Sequence, residues 1–164
     1  MALTPREGSL LDAREGLIVH GCNAQGVMGS GVAAAIREAY PQAYADYRRA
    51  FEEKGLKVGQ IVWTTVSHAP KLAIANAITQ EYYGRDKGRV YVDYDALRRV
   101  FGRIGEVARQ HAIPVHFPMI GAGLANGDWA VIAPIIETAL AGVDHTFWIP
   151  PGTPLPTARR PRPR

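Results

Sequence analysis

Leu17 to Val32 reads LIVHGCNAQGVMGSGV, and the parsing of this stretch decides the fold. Leu17, Ile18, Val19 and His20 have the apolar character of a short buried strand, Gly21 to Gly31 is polar and glycine-rich, and a new apolar periodicity begins at Val32. Strand, loop, helix is the repeating unit of α/β sheets. Gly21, Gly26, Gly29 and Gly31 leave the loop backbone bare, so peptide N–H groups can approach a ligand closely. The helix beginning near Val32 adds unpaired N–H groups and the positive end of its dipole, a combination suited to an anion. Asn23 and Gln25 could read a sugar or a base edge. A tight turn whose glycines serve packing alone has the same spacing. The loop is neither the G-x-G-x-x-G of dinucleotide folds in its usual context nor a P-loop, since no Gly-Lys-Ser/Thr follows.

Outward from this stretch, periodicity predicts a helix from Val32 to Ala39 ended by Pro41, then a second from Gln42 to Lys54 ended by Gly55. Tyr44, Tyr47 and Phe51 share a face of the second helix and read as core. Two strands, Gln60 to Val66 and Lys71 to Thr79, are expected as a hairpin across the turn Ser67-His68-Ala69-Pro70. The stretch TQEYYGRDKGR is too long for a plain connection and reads as a binding loop. A helix from Asp93 to His111 follows, with Asp93 as its cap. Pro114 to Phe117 reads as a strand and PMIGAGLANGDW as a second glycine-rich loop. Trp129 to Leu140 is expected as a helix capped by Asp128, with Pro134 early in it, and Val143 to Ile149 as the last strand. Before the first loop, Ala2 to Leu11 carries a weak strand signal ending in a turn at Glu7-Gly8-Ser9.

The alternation predicts an α/β fold with its ligand at the carboxyl ends of the strands. Neither glycine loop contains a lysine or arginine. If their strands lie side by side, a diphosphate could sit between two sets of backbone N–H groups and two helix N-termini.

The 164 residues, 47% hydrophobic and 21% charged, suit one globular domain. No apolar run reaches the ~20 residues of a membrane span and no signal segment opens the sequence, which predicts a cytoplasmic protein. The single Cys22 forms no internal disulfide, and the histidines show no ligand spacing, so neither metal nor cofactor is expected. The net charge of +4 equals the four arginines Arg159, Arg160, Arg162 and Arg164, leaving a neutral body. Residues 1–150 are therefore read as one domain, and 151–164 as a flexible Pro/Arg-rich tail that either solvates the protein or touches an anionic surface.

HGCNAQGVMGSGVAAAIREAYP, with FPMIGAGLANGDW about a hundred residues later, resembles the two ligand-binding loops of the macro domain family. Its H-x-C-N-x-x-G-x-x-G-x-G form is most similar to the branch of ADP-ribose 1''-phosphate phosphatases and, more distantly, terminal ADP-ribose glycohydrolases. The resemblance implies a three-layer α/β/α fold with a central mixed sheet, and binding of ADP-ribose or ADP-ribose 1''-phosphate by a monomer. Carried over by position, it implies contacts from Ser9, Leu10, Gly21, Cys22, Asn23, Gly26, Val27, Met28, Gly29, Ser30, Gly31 and Val32. Thr79, Gln80, Tyr82, Tyr83, Ile120, Gly121, Ala122, Gly123, Leu124, Ala125, Asn126 and Gly127 complete the set. Ser9 stands where a family aspartate often meets adenine, with Asp12 or a backbone group as a substitute. Gln80 and Ala125 stand where the glycohydrolase branch has its lysine and aspartate.

The resemblance to the phosphatase branch makes His20 the acid or base, at a pKa suited to neutral pH. Asn23 would position the distal ribose, and Asp86 or Asp128 would orient His20 or water, though each aspartate also suits a cap or a loop surface. The implied reaction is hydrolysis of ADP-ribose 1''-phosphate. Removal of ADP-ribose from protein or nucleic acid, and simple ADP-ribose reading, are the alternatives.

Overall fold

The computed structural model describes residues 3–154, so the tail from 155 onward lies outside the described residues. Within them, β2 (Gly16–Asn23) is the spine of a six-stranded sheet. It is flanked in sequence by β1 (Pro5–Glu7) and a 3-10 turn (Leu10–Asp12), then by α1 (Gly31–Ala39) and α2 (Pro41–Lys54). The hairpin β3 (Ile61–His68) and β4 (Lys71–Gln80) follows, then α3 (Tyr94–His111), β5 (Val115–Phe117), α4 (Trp129–Ala139) and β6 (His145–Ile149).

The sheet order is β1-β6-β5-β2-β4-β3; β3 runs antiparallel to β4 and every other pair is parallel, making the sheet mixed. Alternation along β2 sends Leu17 and Val19 into one core with Val100, Phe101 and Ile104 of α3 and Ile132 and Ile136 of α4. Ile18 turns the other way, onto Ile36 of α1 and Ala43 of α2, and Cys22 joins Tyr47 and Met28 in a neighbouring cluster. Helices thus cover both faces, the three-layer α/β/α arrangement. The crossovers from β2 and from β5 leave to opposite faces, which makes the carboxyl ends of these neighbouring strands the switch point where α/β sheets hold a ligand crevice.

The elements follow their local signals closely. Asp93 accepts from Ala96 N–H at 2.9 Å and Asp128 from Ala130 N–H at 3.0 Å, so both cap helices. Two boundaries differ from the sequence reading. β2 continues through Gly21, Cys22 and Asn23, because β4 offers a full ladder of partners up to Gln80. At the N-terminus only Pro5–Glu7 is strand, and Ser9 opens a 3-10 turn whose capping box pairs Ser9 N–H with Asp12. Residues 151–154, expected as extended tail, include a turn in which Thr153 N–H meets Pro150 O.

Candidate functional site

The first loop, residues 24–30, leaves β2, and the second, residues 118–128, leaves β5, the strand beside it. They meet where Leu124 packs against Gly31, a Cβ on which would lie 3.4 Å from the leucine side chain. Among the described residues, the N–H groups of Gly29 to Ala33 and of Gly121 to Ala125 have no protein acceptor. Two sets of free donors therefore flank the crevice, one of them at the start of α1.

The first loop is shaped by side chains beneath it. Asn23 accepts from Gln25 N–H at 3.0 Å and from Val27 N–H at 3.3 Å, and donates from Nδ2 to Val27 O at 2.7 Å. Arg48 of α2 donates to Gly26 O at 3.1 Å. Gly26 has φ +78°, and a Cβ there would fall 2.7 Å from the Arg48 guanidinium and from the Phe51 ring. Its glycine serves that close approach.

Backbone shapes the second loop. Gly127 N–H bonds Gly121 O at 2.7 Å and Asn126 N–H bonds Gly123 O at 3.1 Å. Gly121 and Gly127 lie flat on Val92 and Ile132, while around Gly123 nothing comes within 4 Å of a Cβ. Asn126 Nδ2 also reaches across to Asp86 O at 3.0 Å and Arg89 O at 2.8 Å, binding the 81–92 loop to this one. In that long loop Arg89 lies over the rings of both Tyr82 and Tyr91, and Gln80 Nε2 donates to Tyr82 O.

The sequence-derived set divides accordingly. Gly29, Ser30, Gly31, Val32, Gly123 and Leu124 are exposed at the mouth, with Val27 and Ala122 half-buried beside them. Tyr82 and Tyr83 stand exposed on the long loop. Leu10, Met28, Ile120 and Ala125 have their side chains in the core and could offer only backbone. Thr79 is buried against Gly21. Ser9 is engaged as a cap, with Asp12 closing on its N–H.

His20 requires correction as a candidate acid or base. It is 0% exposed, and its Nε2 lies 2.7 Å from Asn76 Oδ1 inside the sheet. Burial lowers its pKa to about 4, against a smaller raising effect of the Asn76 bond, so it is neutral at physiological pH. Cys22, 3% exposed, sits 3.8 Å from His20 Nδ1, and desolvation raises its thiol pKa, which makes it an inert packing residue. Asp128 is occupied as the cap of α4. Asp86 meets the second loop through its backbone carbonyl, while its carboxylate Oδ1 takes Gly88 N–H at 2.9 Å within its own loop.

Two residues escaped the sequence reading. Asn76 was concealed in the apolar run LAIANAI, where a lone amide within a buried strand is the available signal. Tyr47 read as core by its spacing, which says nothing of where its hydroxyl ends.

The macro domain family model matches residues 19–136. The chain belongs to the macro domain family. The DNA ADP-ribosyl glycohydrolase of Thermus aquaticus is 30% identical over 144 residues, 87% of this macro domain but 39% of that protein, so the chain spans about two fifths of that relative. The ADP-ribose 1''-phosphate phosphatase of Ajellomyces capsulatus is 47% identical over 47 residues, 28% of this chain and 18% of that one. The macrodomain of Mycobacterium tuberculosis DarG shares the fold with a TM-score of 0.76, at 22% identity over 90% of this chain and 97% of that chain.

Proposed function

We propose that this macro domain binds ADP-ribose across the crevice between β2 and β5 and hydrolyses the phosphate monoester of ADP-ribose 1''-phosphate. The adjacency of the two loops supports this reading most directly, because both carry unpaired N–H groups, at residues 29–33 and 121–125, and they leave neighbouring strands. The lack of lysine and arginine in both loops fits a diphosphate bound by backbone. The distal ribose would lie at Asn23.

With His20 buried away from the loops, we assign water activation to the exposed Asp86, whose backbone carbonyl accepts from the Asn126 carboxamide of the second loop. In this step Asp86 takes a proton from water as the water oxygen bonds to phosphorus, the P–O1'' bond breaks, and the departing ribose O1'' takes a proton from solvent. Measuring phosphate release from ADP-ribose 1''-phosphate tests the reading. Wild type turns over, and Asp86→Asn lowers kcat by about 100-fold, in the range of general base removal. Unchanged turnover in Asp86→Asn takes Asp86 out of the reaction; binding without phosphate release removes the phosphatase.

The match over 87% of the chain to a DNA ADP-ribosyl glycohydrolase favours a second reading, release of ADP-ribose from modified DNA. Gln80 is no nucleophile and is bonded to Tyr82 O, so water would attack the distal ribose. Free ADP-ribose appearing from ADP-ribosylated DNA, with no phosphate from the small substrate, distinguishes the two.

A further inference from the structure

Helix α2 reaches the first loop from below through one buried hydroxyl. Tyr47 is 0% exposed; its OH donates to the backbone carbonyl of Asn23 at 2.6 Å and lies 3.0 Å from Oδ1 of the same residue. The Asn23 carboxamide beside it is almost fully committed by the loop it opens. Oδ1 faces Gln25 N–H, Val27 N–H and Tyr47, and one Nδ2 proton goes to Val27 O. One amide proton is left over, on a residue that retains 8% exposure where β2 passes into the first loop.

The helix is fixed in turn at the preceding residue. Thr64 Oγ1 of β3 donates to Asp46 Oδ2 at 2.9 Å, and Asn76 Nδ2 of β4 donates to Thr64 Oγ1 at 3.2 Å and to Val62 O at 2.9 Å. With both Nδ2 protons used, Asn76 Oδ1 must accept, so His20 donates from Nε2 and keeps Nδ1 unprotonated, with the Cys22 sulfur 3.7 Å from Nε2 and 3.8 Å from Nδ1. Each donor points the same way along this chain, from β2 through β4 and β3 to the carboxylate on α2. His20 thus has a place in the molecule as a link that sets α2 against the sheet.

We propose that Tyr47 is a positioning residue for the distal ribose: acting through Asn23, it fixes the amide N–H that distinguishes ADP-ribose from ADP. This rests on the ADP-ribose reading above. On that reading the diphosphate is held by the N–H groups of residues 29–33 and 121–125, which Tyr47 does not touch, so removal of its hydroxyl bears more on the ribose end than on the diphosphate.

Calorimetric titration of ADP-ribose and of ADP into wild type, Tyr47→Phe, Asn23→Ala and the double variant tests it. Tyr47→Phe keeps the buried ring and removes only the oxygen. It weakens ADP-ribose about tenfold, the effect of one lost hydrogen bond, and leaves ADP within about twofold. In the Asn23→Ala background the same change costs ADP-ribose less than about twofold, because the residue it acts through is gone. Equal loss for both ligands, or a tenfold loss that persists without the Asn23 side chain, overturns the proposal. Thr64→Val, which breaks the chain away from the loop, shifts the ADP-ribose to ADP ratio in the same direction by about threefold. Should Tyr47→Phe fail to fold, an unchanged ratio in Thr64→Val overturns it instead. Wild type that binds neither ligand defeats the ADP-ribose reading, and this proposal with it, whereas wild type that binds with unaltered variants defeats this proposal alone.

Discussion

The first loop stands on side chains and the second stands on its own backbone. Asn23 and Arg48 reach up into the 24–30 segment, Tyr47 of α2 holds Asn23 from below, and all three sit above a buried polar chain. The 118–128 segment closes on itself through Gly127 and Asn126 and lies flat on Val92 and Ile132. Similar composition therefore conceals different supports. A loop shaped from polar groups beneath responds to pH and to hydroxyl deletion; a loop shaped by close backbone packing responds to added volume.

Acid should separate the two most strongly. The pKa of His20 falls from 6.5 to about 4 on folding, so between these values the unfolded chain binds more protons and stability drops as pH falls. The full shift corresponds to about 3 kcal/mol, all of it present above pH 6.5 and lost by pH 4. His116, whose pKa is also lowered by burial, adds in the same direction from the β5-β6 side of the sheet. Hydrogen exchange at pH 7 and pH 4.5 should show protection falling first along β2, α2 and residues 24–30. Equal loss in residues 118–128 would erase the distinction between the loops.

Added volume should discriminate in the opposite sense. A Cβ at Gly127 would lie 2.5 Å from Gly121 O and 2.6 Å from Val92. Gly127→Ala is expected to cost about 2 kcal/mol by overpacking, read as a lowered midpoint in urea at unchanged slope. At Gly123 the same methyl meets nothing within 4 Å and no positive φ stands in its way. Gly123→Ala should therefore change stability by less than about 0.5 kcal/mol. Any effect of Gly123→Ala then appears in ADP-ribose affinity, where the methyl would intrude between backbone and diphosphate. A large stability loss at Gly123 would mean that the second loop is packed throughout.

The helices were legible almost to the residue, because their signals are local. Asp93 and Asp128 lie next to the N–H groups they cap, and Gly55 ends α2 at φ +70°. The hairpin was legible too, from two β-rich runs around a short turn. Both glycine loops stood out by composition, and the exposed residues at the mouth, Gly29 to Val32 with Gly123 and Leu124, were all named from sequence. What each glycine does was not, since Gly26 answers to Arg48 and Phe51 some twenty residues on, and Gly127 to Val92.

By itself, then, the sequence determined the alternation of strands and helices, the caps and two bare loops free of lysine and arginine. Those features depend on neighbours within a turn or a strand of chain. Tertiary structure alone decided that β2 and β5 are adjacent, so that the loops share one crevice, and that His20 faces inward onto Asn76, 56 residues away. A strand alternates its side chains between two faces, but which face meets polar partners and which meets water depends on the elements that pack there. For His20 that choice turned a candidate acid or base into a buried, neutral donor beneath the loop it adjoins.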